Sequence, residues 1–365
     1  LIERAIDNFD VVFLRNEDSV AQMGRDGWLA LGWPTEYGGR GLTLLQQLIW
    51  YEEYAAQGFP GIDANFVGLS HAGPTLITRA GEQQKAFHLP KILKGEAIWC
   101  QGFSEPEAGS DLASLKMKAV VDGESLVVSG QKIWTSFAMS AHFQELLVRT
   151  DNSGTKHKGI TWVICDMSTP GIDIRPIRTM MNHATTEVFF DNLRIPADAL
   201  VGEEGKGFRY ILSGMNSERI LIAAECVGDA KWFLKKGADY AKERIVFGAP
   251  IGRNQGVQFP LARAQAHLMA AEAIVYRAAA MYDAGHNPGV EANTAKMLAA
   301  DASWEAAEAC LQTHGGFGFA EEYDIERKFR EARLYQVAPI STNLILCYIA
   351  EQVLGLPKSY GEARG

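Results

Sequence analysis

Several signals that would settle a protein's class at once are missing from this sequence. It has five cysteines (Cys100, Cys165, Cys226, Cys310, Cys347), an odd number without a CxxC pair, so neither a disulfide framework nor a zinc knuckle is indicated. A reducing compartment fits best. The histidines form no HxH or HExxH pair, and His88 and His267 read as packed or surface residues on helices, so no metal site is indicated. No apolar run reaches the length of a membrane span, and the opening LIERAIDNFD lacks the basic-then-apolar layout of a signal peptide. Positive charge is scarce too: 35 Lys and Arg face 44 Asp and Glu, a net charge of −9, which gives no footprint for nucleic acid or an anionic membrane. The expected location is cytoplasmic, or an organelle matrix had an N-terminal targeting segment been removed.

Nucleotide and nucleophile motifs are missing as well. The glycines of HGGFGFAEEY (314–323) follow a helical stretch and lack GxGxxG or GxxxxGK[ST] spacing, and GLSHAG (68–73) misses the GxSxG elbow by one position. Nor does the chain alternate strand with helix, which excludes a doubly wound nucleotide fold.

What is present is a change of texture along the chain. Short amphipathic stretches such as 44–57 and 82–95, broken by the turn GWPTEYGGRG (32–41), predict an N-terminal helical domain over 1–100. Alternating, β-branched runs (LKMKAVV, LVVSGQKIW, ELLVRT, GITWVICD, IDIRPI, TEVFFDNLRI) separated by DGES, DNSG and STPG turns predict a middle β-domain over 101–204, a barrel or sandwich of six or seven strands. Helical periodicity then returns around 207–245, 256–284, 290–313 and 341–353, predicting a C-terminal helical bundle over 205–365. The fold class is mainly α with a middle β-domain, with short linkers near 96–102 and 201–207.

Two segments carry chemistry. QGFSEPEAGSD (101–111) packs turn formers and hydrogen-bonding side chains into one loop that can offer N–H groups and hydroxyls to a polar heterocycle, and QKIWTS (131–136) adds an indole and two hydroxyls. Each alone reads equally well as a structural turn or a core tryptophan.

Taken in order, GWPTEYGGRG, QGFSEPEAGSDLASL, VSGQKIWTS, NSERILIAAECVG, ERIVFGAPIGRNQGVQF, QTHGGFGFAEEYDIERKFREAR and STNLI resemble the acyl-CoA dehydrogenases over nearly the whole chain. The resemblance implies a helical N-domain, a middle β-domain and a C-terminal four-helix bundle with FAD bound between them. By that resemblance Phe103 and Ser104 meet the flavin pyrimidine edge, with Gly109 and Ser110 in the same loop. Trp134 lies beside the isoalloxazine and Ser136 donates to flavin N5. Arg244, Phe247, Gln255, Gln312 and Gly316 reach the FAD of a neighbouring subunit, and Ser341 and Asn343 of the STNLI stretch belong to the cofactor set. Ser110 and Asn216 contact the pantetheine, with Arg219 and Ala338 on the substrate side. A site assembled from two chains implies an oligomer, a homotetramer built as a dimer of dimers.

The sequence departs from the family at the base. Most members carry it as the Glu of a YEGT motif after an RDAR run; here REAR is followed by LYQVAPIST, with Ala338 at the Tyr position, Pro339 at the Glu, Ile340 at the Gly and Ser341 at the Thr. Proline is no base. Isovaleryl-CoA and long-chain types place it instead on the preceding long helix directly before an Arg, and the matching residue here is Glu218, followed by Arg219. The alternative for this pair is an ordinary helix ion pair with other partners. The expected activity is FAD-dependent α,β-dehydrogenation of an acyl-CoA to a trans-2-enoyl-CoA, with electrons passed to an electron-transfer flavoprotein. Alternatives are an acyl-CoA oxidase or flavin monooxygenase on the same fold, or a non-catalytic subunit of a hetero-oligomer.

Overall fold

The computed structural model describes residues 22–58, 63–181 and 184–359; the opening LIERAIDNFD therefore lies outside the described residues. In chain order the helices are α1 (Leu44–Ala56), α2 (Asp63–Val67), a π-helical turn (Gly68–Ala72) leading into α3 (Gly73–Arg79), and α4 (Glu82–Leu93). Strands β1 (Trp99–Gly102), β2 (Lys118–Asp122), β3 (Ser125–Ser136), β4 (Phe143–Arg149), β5 (Ile160–Asp166), β6 (Ile172–Pro176) and β7 (Thr185–Pro196) follow. The long helix α5 (Gly207–Glu243), a small hairpin β8 (Ile245–Val246) and β9 (Ala249–Pro250), then α6 (Gln255–Asp283), α7 (Gly289–His314), α8 (Ile325–Leu334) and α9 (Thr342–Gln352) complete the chain. The helix–strand–helix order matches the sequence reading. Two elements differ from it: the segment read as a linker near 96–102 contains β1, and the charged run IERKFREARL forms α8. The chain divides into two compact units, one of residues 1–15, 42–61 and 216–365, the other of residues 16–41 and 62–215.

In the second unit the seven strands form one sheet in the order β1-β4-β2-β3-β7-β6, with β5 paired to β4. Alternation puts Leu126 and Val128 of β3, Leu146 and Val148 of β4, Val163 and Cys165 of β5, and Val188 and Phe190 of β7 into one buried cluster. On β7 the phase then flips, because Leu193 and Ile195 are the buried pair beyond Phe190. The register explains it: Val128 pairs with Leu193 but Gly130 with Phe190, so β7 carries one extra residue, and Asn192 absorbs it at φ 48°. A second bulge lies further along the same ladder, where Lys132 pairs with Val188 but Thr135 with Thr186, so here β3 carries the extra residue.

On the opposite side of β1 and β4, His88 of α4 is buried against Phe87, Trp99 and Phe143, with ring centroids 4.7–5.2 Å away. Burial draws its pKa down to about 4. A base whose folded pKa lies below its unfolded value contributes stability that is fully present above about pH 6.5 and is lost as pH falls toward 4, here up to about 3 kcal/mol. The expected result is that His88→Phe removes part of the acid sensitivity: its denaturation midpoint should fall less than that of the parent between pH 7 and pH 4.5.

In the first unit α1 starts at a capping box, with Thr43 Oγ1 accepting from Gln46 N (3.3 Å) and Gln46 Oε1 from Thr43 N (3.0 Å). The Asp283 carboxylate at the end of α6 takes the next two free amides, Leu44 N (2.8 Å) and Leu45 N (2.9 Å), where a helix start favours negative charge. Close approach of α5 to α1 requires glycine at 228, since a Cβ there would lie 2.2 Å from the Glu52 carbonyl oxygen. The next residue, Asp229, forms a buried ion pair with Lys328 of α8 and so fixes a third helix to α5.

Candidate functional site

The loop after β1 is built to hold its main chain still. Gln101 Nε2 donates to the buried Glu145 (2.9 Å) and lies 3.4 Å from His71 Nδ1 on the π-helical turn, which anchors the loop's start. Phe103 is buried, so what it can offer a ligand is its main chain; Ser104 is half-buried, and Gly109 and Ser110 are exposed. A Cβ built on Gly109 meets nothing, so the chain's own packing does not require glycine there. Further on, Asp111 accepts from Lys156 Nζ (2.6 Å) and Ser114 Oγ (2.5 Å), and that pairing lowers its pKa.

Opposite this loop the extra residue of β3 falls at Ile133–Trp134, and Trp134 sits at φ 60°. A bulky side chain in the left-handed region is strained, and a strained residue held by its surroundings points to function. The indole is 60% exposed although its neighbour Thr135 is fully buried, with the Thr135 carbonyl accepting from Thr186 Oγ1 (2.7 Å). Ser136, half-buried, ends the strand. The loop 103–110 and the segment 134–136 are joined where Ile133 N donates to Ser104 O (3.0 Å), so the structure brings Phe103, Ser104, Trp134 and Ser136 into one neighbourhood. An exposed indole on a strained bulge beside a hydrogen-bonded loop with an exposed serine, Ser110, fits a flat, polar heterocycle such as a flavin.

The same unit holds a groove of about 470 Å³ lined by Ser114, Lys116, Lys118, Arg149 and Lys156. Arg149 builds its wall, donating to the carbonyls of Ala113 (2.7 Å), Leu115 (3.0 Å), Lys156 (3.1 Å) and Lys158 (3.0 Å). Sequence reading missed this groove because its lysines are scattered over three elements.

The first unit carries the remaining residues. Asn216, Glu218 and Arg219 lie half-buried within about one turn of α5. Arg219 Nη1 donates to Asn216 Oδ1 (2.9 Å); burial lowers the guanidinium pKa, and the Glu218 charge opposes that shift. Lys296 of α7, fully buried, donates to the carbonyls of Tyr335 and Ile340 (2.9 Å for the latter), clamping the loop that contains Ala338 and Pro339. Burial lowers the Lys296 pKa, and the charges of Arg219 and Glu218 both reach it. Lys296 thus holds the 335–340 loop onto α7. The Ser341 hydroxyl caps α9, accepting from Leu344 N (3.4 Å), and Asn343 is exposed on its first turn.

A second group gathers near the end of α5. Phe247 (φ 52°) and Gly248 (φ 78°) make the tight turn of the β8–β9 hairpin, a backbone suited to a two-residue hairpin loop, and the Phe247 side chain is fully exposed. Arg244 lies 5.5 Å from the Phe317 ring, and Tyr240 stacks on His314 (4.1 Å). Gln312 is exposed on the last turn of α7 and Gly316 on the 3-10 turn that follows it. A Cβ on Gly316 meets nothing in the chain. Gln255 begins α6, also exposed. Among the described residues no group of His, Cys, Asp and Glu could hold a metal ion, and no helix is long and apolar enough to cross a membrane.

Comparison with known proteins covers almost the whole chain. The acyl-CoA dehydrogenase N-terminal domain matches residues 5–96, the middle domain residues 100–193 and the C-terminal domain residues 205–354. The acyl-CoA dehydrogenase fadE12 of Mycobacterium bovis is 34% identical, spanning 93% of this chain and 88% of its own. Among solved structures, an acyl-CoA dehydrogenase from Geobacillus kaustophilus superposes with a TM-score of 0.87 at 28% identity, covering 94% of this chain and 92% of that one. The ChsE4–ChsE5 complex of Mycobacterium tuberculosis matches with a TM-score of 0.85 at 31% identity, covering 98% and 93%.

Proposed function

Since the chain belongs to the acyl-CoA dehydrogenase family, oxidoreductases acting on a CH–CH bond, we propose that it converts a saturated acyl-CoA to the trans-2-enoyl-CoA with Glu218 as the general base. The observation that carries the reading is the strained, exposed Trp134 beside the rigid Phe103–Ser104 loop, an arrangement the chain's own packing does not call for. When bound, FAD supplies the acceptor for the hydride that leaves the β-carbon. The chain's residues do the rest. Phe103 and Ser104 hold the pyrimidine edge, Trp134 walls the ring, and the Ser136 hydroxyl donates to it. Lys118 lines a groove and carries a charge that suits a phosphate of CoA, while Lys156 beside it is paired with Asp111.

Glu218 takes the α-proton. A positioned carboxylate is a side chain suited to that step. Pro339 cannot serve, and Ala338 leaves room beside it. Arg244, Phe247, Gln255, Gln312 and Gly316, all exposed on one unit, are suited to reach the FAD of a second copy, so the working form is a homotetramer, and an electron-transfer flavoprotein receives the electrons. Pro339 also favours a second reading, a non-catalytic subunit of a hetero-oligomer.

The test is anaerobic. The purified protein is mixed with straight, branched and ring-bearing acyl-CoAs and the oxidised-flavin absorbance is followed. Bleaching by one subset is expected and identifies the acyl class. Bound flavin that no acyl-CoA bleaches would move the assignment to a monooxygenase or a partner-dependent subunit, and a colourless protein would move it to the non-catalytic reading.

A further inference from the structure

We propose that the buried Lys132–Glu105 ion pair is a positioning device for the cofactor site, setting the Phe103–Ser104 main chain against the Trp134 bulge before any cofactor arrives. The inference rests on the proposed FAD site and assigns work to two residues that reading leaves idle.

Lys132 is fully buried, and its Nζ donates to Glu105 Oε1 (2.9 Å) and to Phe103 O (3.1 Å). The Glu105 carboxylate, also buried, accepts in addition from Met117 N (2.9 Å) and Lys116 N (2.6 Å). Every link in this cluster runs between the 103–105 loop, the segment leading into β2 and the end of β3 where the second bulge interrupts the ladder to β7. At the interruption Ile133 N pairs with Ser104 O (3.0 Å) instead of with β7. The bulge therefore turns the Ile133 amide toward the loop before β3 rejoins β7 at Thr135, and Lys132 is the last residue paired with β7 ahead of it.

Stability alone does not account for such a pair. Taking both charges out of water costs about as much as their attraction returns, and apolar residues of the same volume often serve a core as well or better. Burial draws the Lys132 pKa down to about 8, a measure of that cost. What an ion pair supplies and an apolar pair does not is direction. The ammonium fixes the Phe103 carbonyl, and hence the plane of the Phe103–Ser104 peptide, while the carboxylate fixes the strand on the far side of the loop. Lys132 and Glu105 thus act through Phe103, Ser104 and Trp134 rather than on a ligand.

The experiment uses the holoenzyme and the double variant Lys132→Met/Glu105→Gln, which leaves no unpaired charge in the core. The expected result is a thermal midpoint within a few degrees of the parent together with FAD release on dilution that is about 10- to 100-fold faster, the scale found when supporting partners of ligand-holding groups are removed. The visible flavin band should also change shape. In the unsubstituted holoenzyme the amides of Ile133, Lys116 and Met117 should be among the slowest to exchange with deuterium. A folded double variant with parental FAD release and spectrum would overturn the inference, as would exchange at those three amides as fast as in an open loop; the exchange measurement decides the matter should the variant not fold. Failure of the parent protein to bind FAD would instead sink the functional reading.

Discussion

Replacing Glu218 by Gln is expected to lower the rate of flavin bleaching by acyl-CoA about 10²- to 10⁴-fold, the range a positioned general base supplies. The amide keeps the size of the carboxylate and its place on α5, so the variant should fold, hold FAD and bind acyl-CoA with little change in affinity. Loss of rate at constant binding marks an interaction made in the transition state. Glu218→Asp should retain part of the rate, since a shorter carboxylate still takes a proton at a worse distance. The plain helix-pair alternative predicts the reverse: a small loss of stability in both variants and unchanged bleaching. Rapid mixing under anaerobic conditions separates the two, and full activity of Glu218→Gln would end the assignment.

How far the sequence could be read follows from the range of the forces involved. The long helices were legible because a 3.6-residue apolar stripe repeats many times in α5, α6 and α7. Six of the seven strands of the sheet were legible from alternation and turns, whereas β1, four residues long and paired in parallel with the distant β4, shows no pattern of its own. IERKFREARL was noticed as a motif but not as a helix, because its polar residues outnumber its apolar ones. Trp134 and Ser136 stood out by residue type. Lys132, two residues earlier, did not, since a lysine in a strand usually faces water and nothing local reveals that Glu105, 27 residues away, lies beside it. The bulge that exposes Trp134 is likewise a property of two strands in register, which neither strand encodes alone.

Lys296 was missed for the same reason, and its removal carries the second large effect. Lys296→Met should destabilise the protein by about 2–5 kcal/mol, because the carbonyls of Tyr335 and Ile340 lose their shared donor and a buried acceptor without a partner costs about 1–3 kcal/mol. Part of that loss is offset, since methionine fills much of the volume and spares the burial of an ammonium whose pKa is already lowered. The functional effect should exceed what the stability change alone implies. The released loop holds Ala338 and Pro339, and a Lys296 charge that reaches Glu218 and Arg219 disappears with it. The freed loop should slow flavin bleaching in Lys296→Met by up to about 10²-fold, since a small misplacement of a wall beside the reacting atoms costs rate. A denaturant midpoint and a bleaching rate measured on one preparation distinguish the outcomes. A lowered midpoint with an unchanged bleaching rate would make Lys296 a loop anchor only, while a slower rate in protein that is still fully folded ties the clamp and the proline loop to the working site.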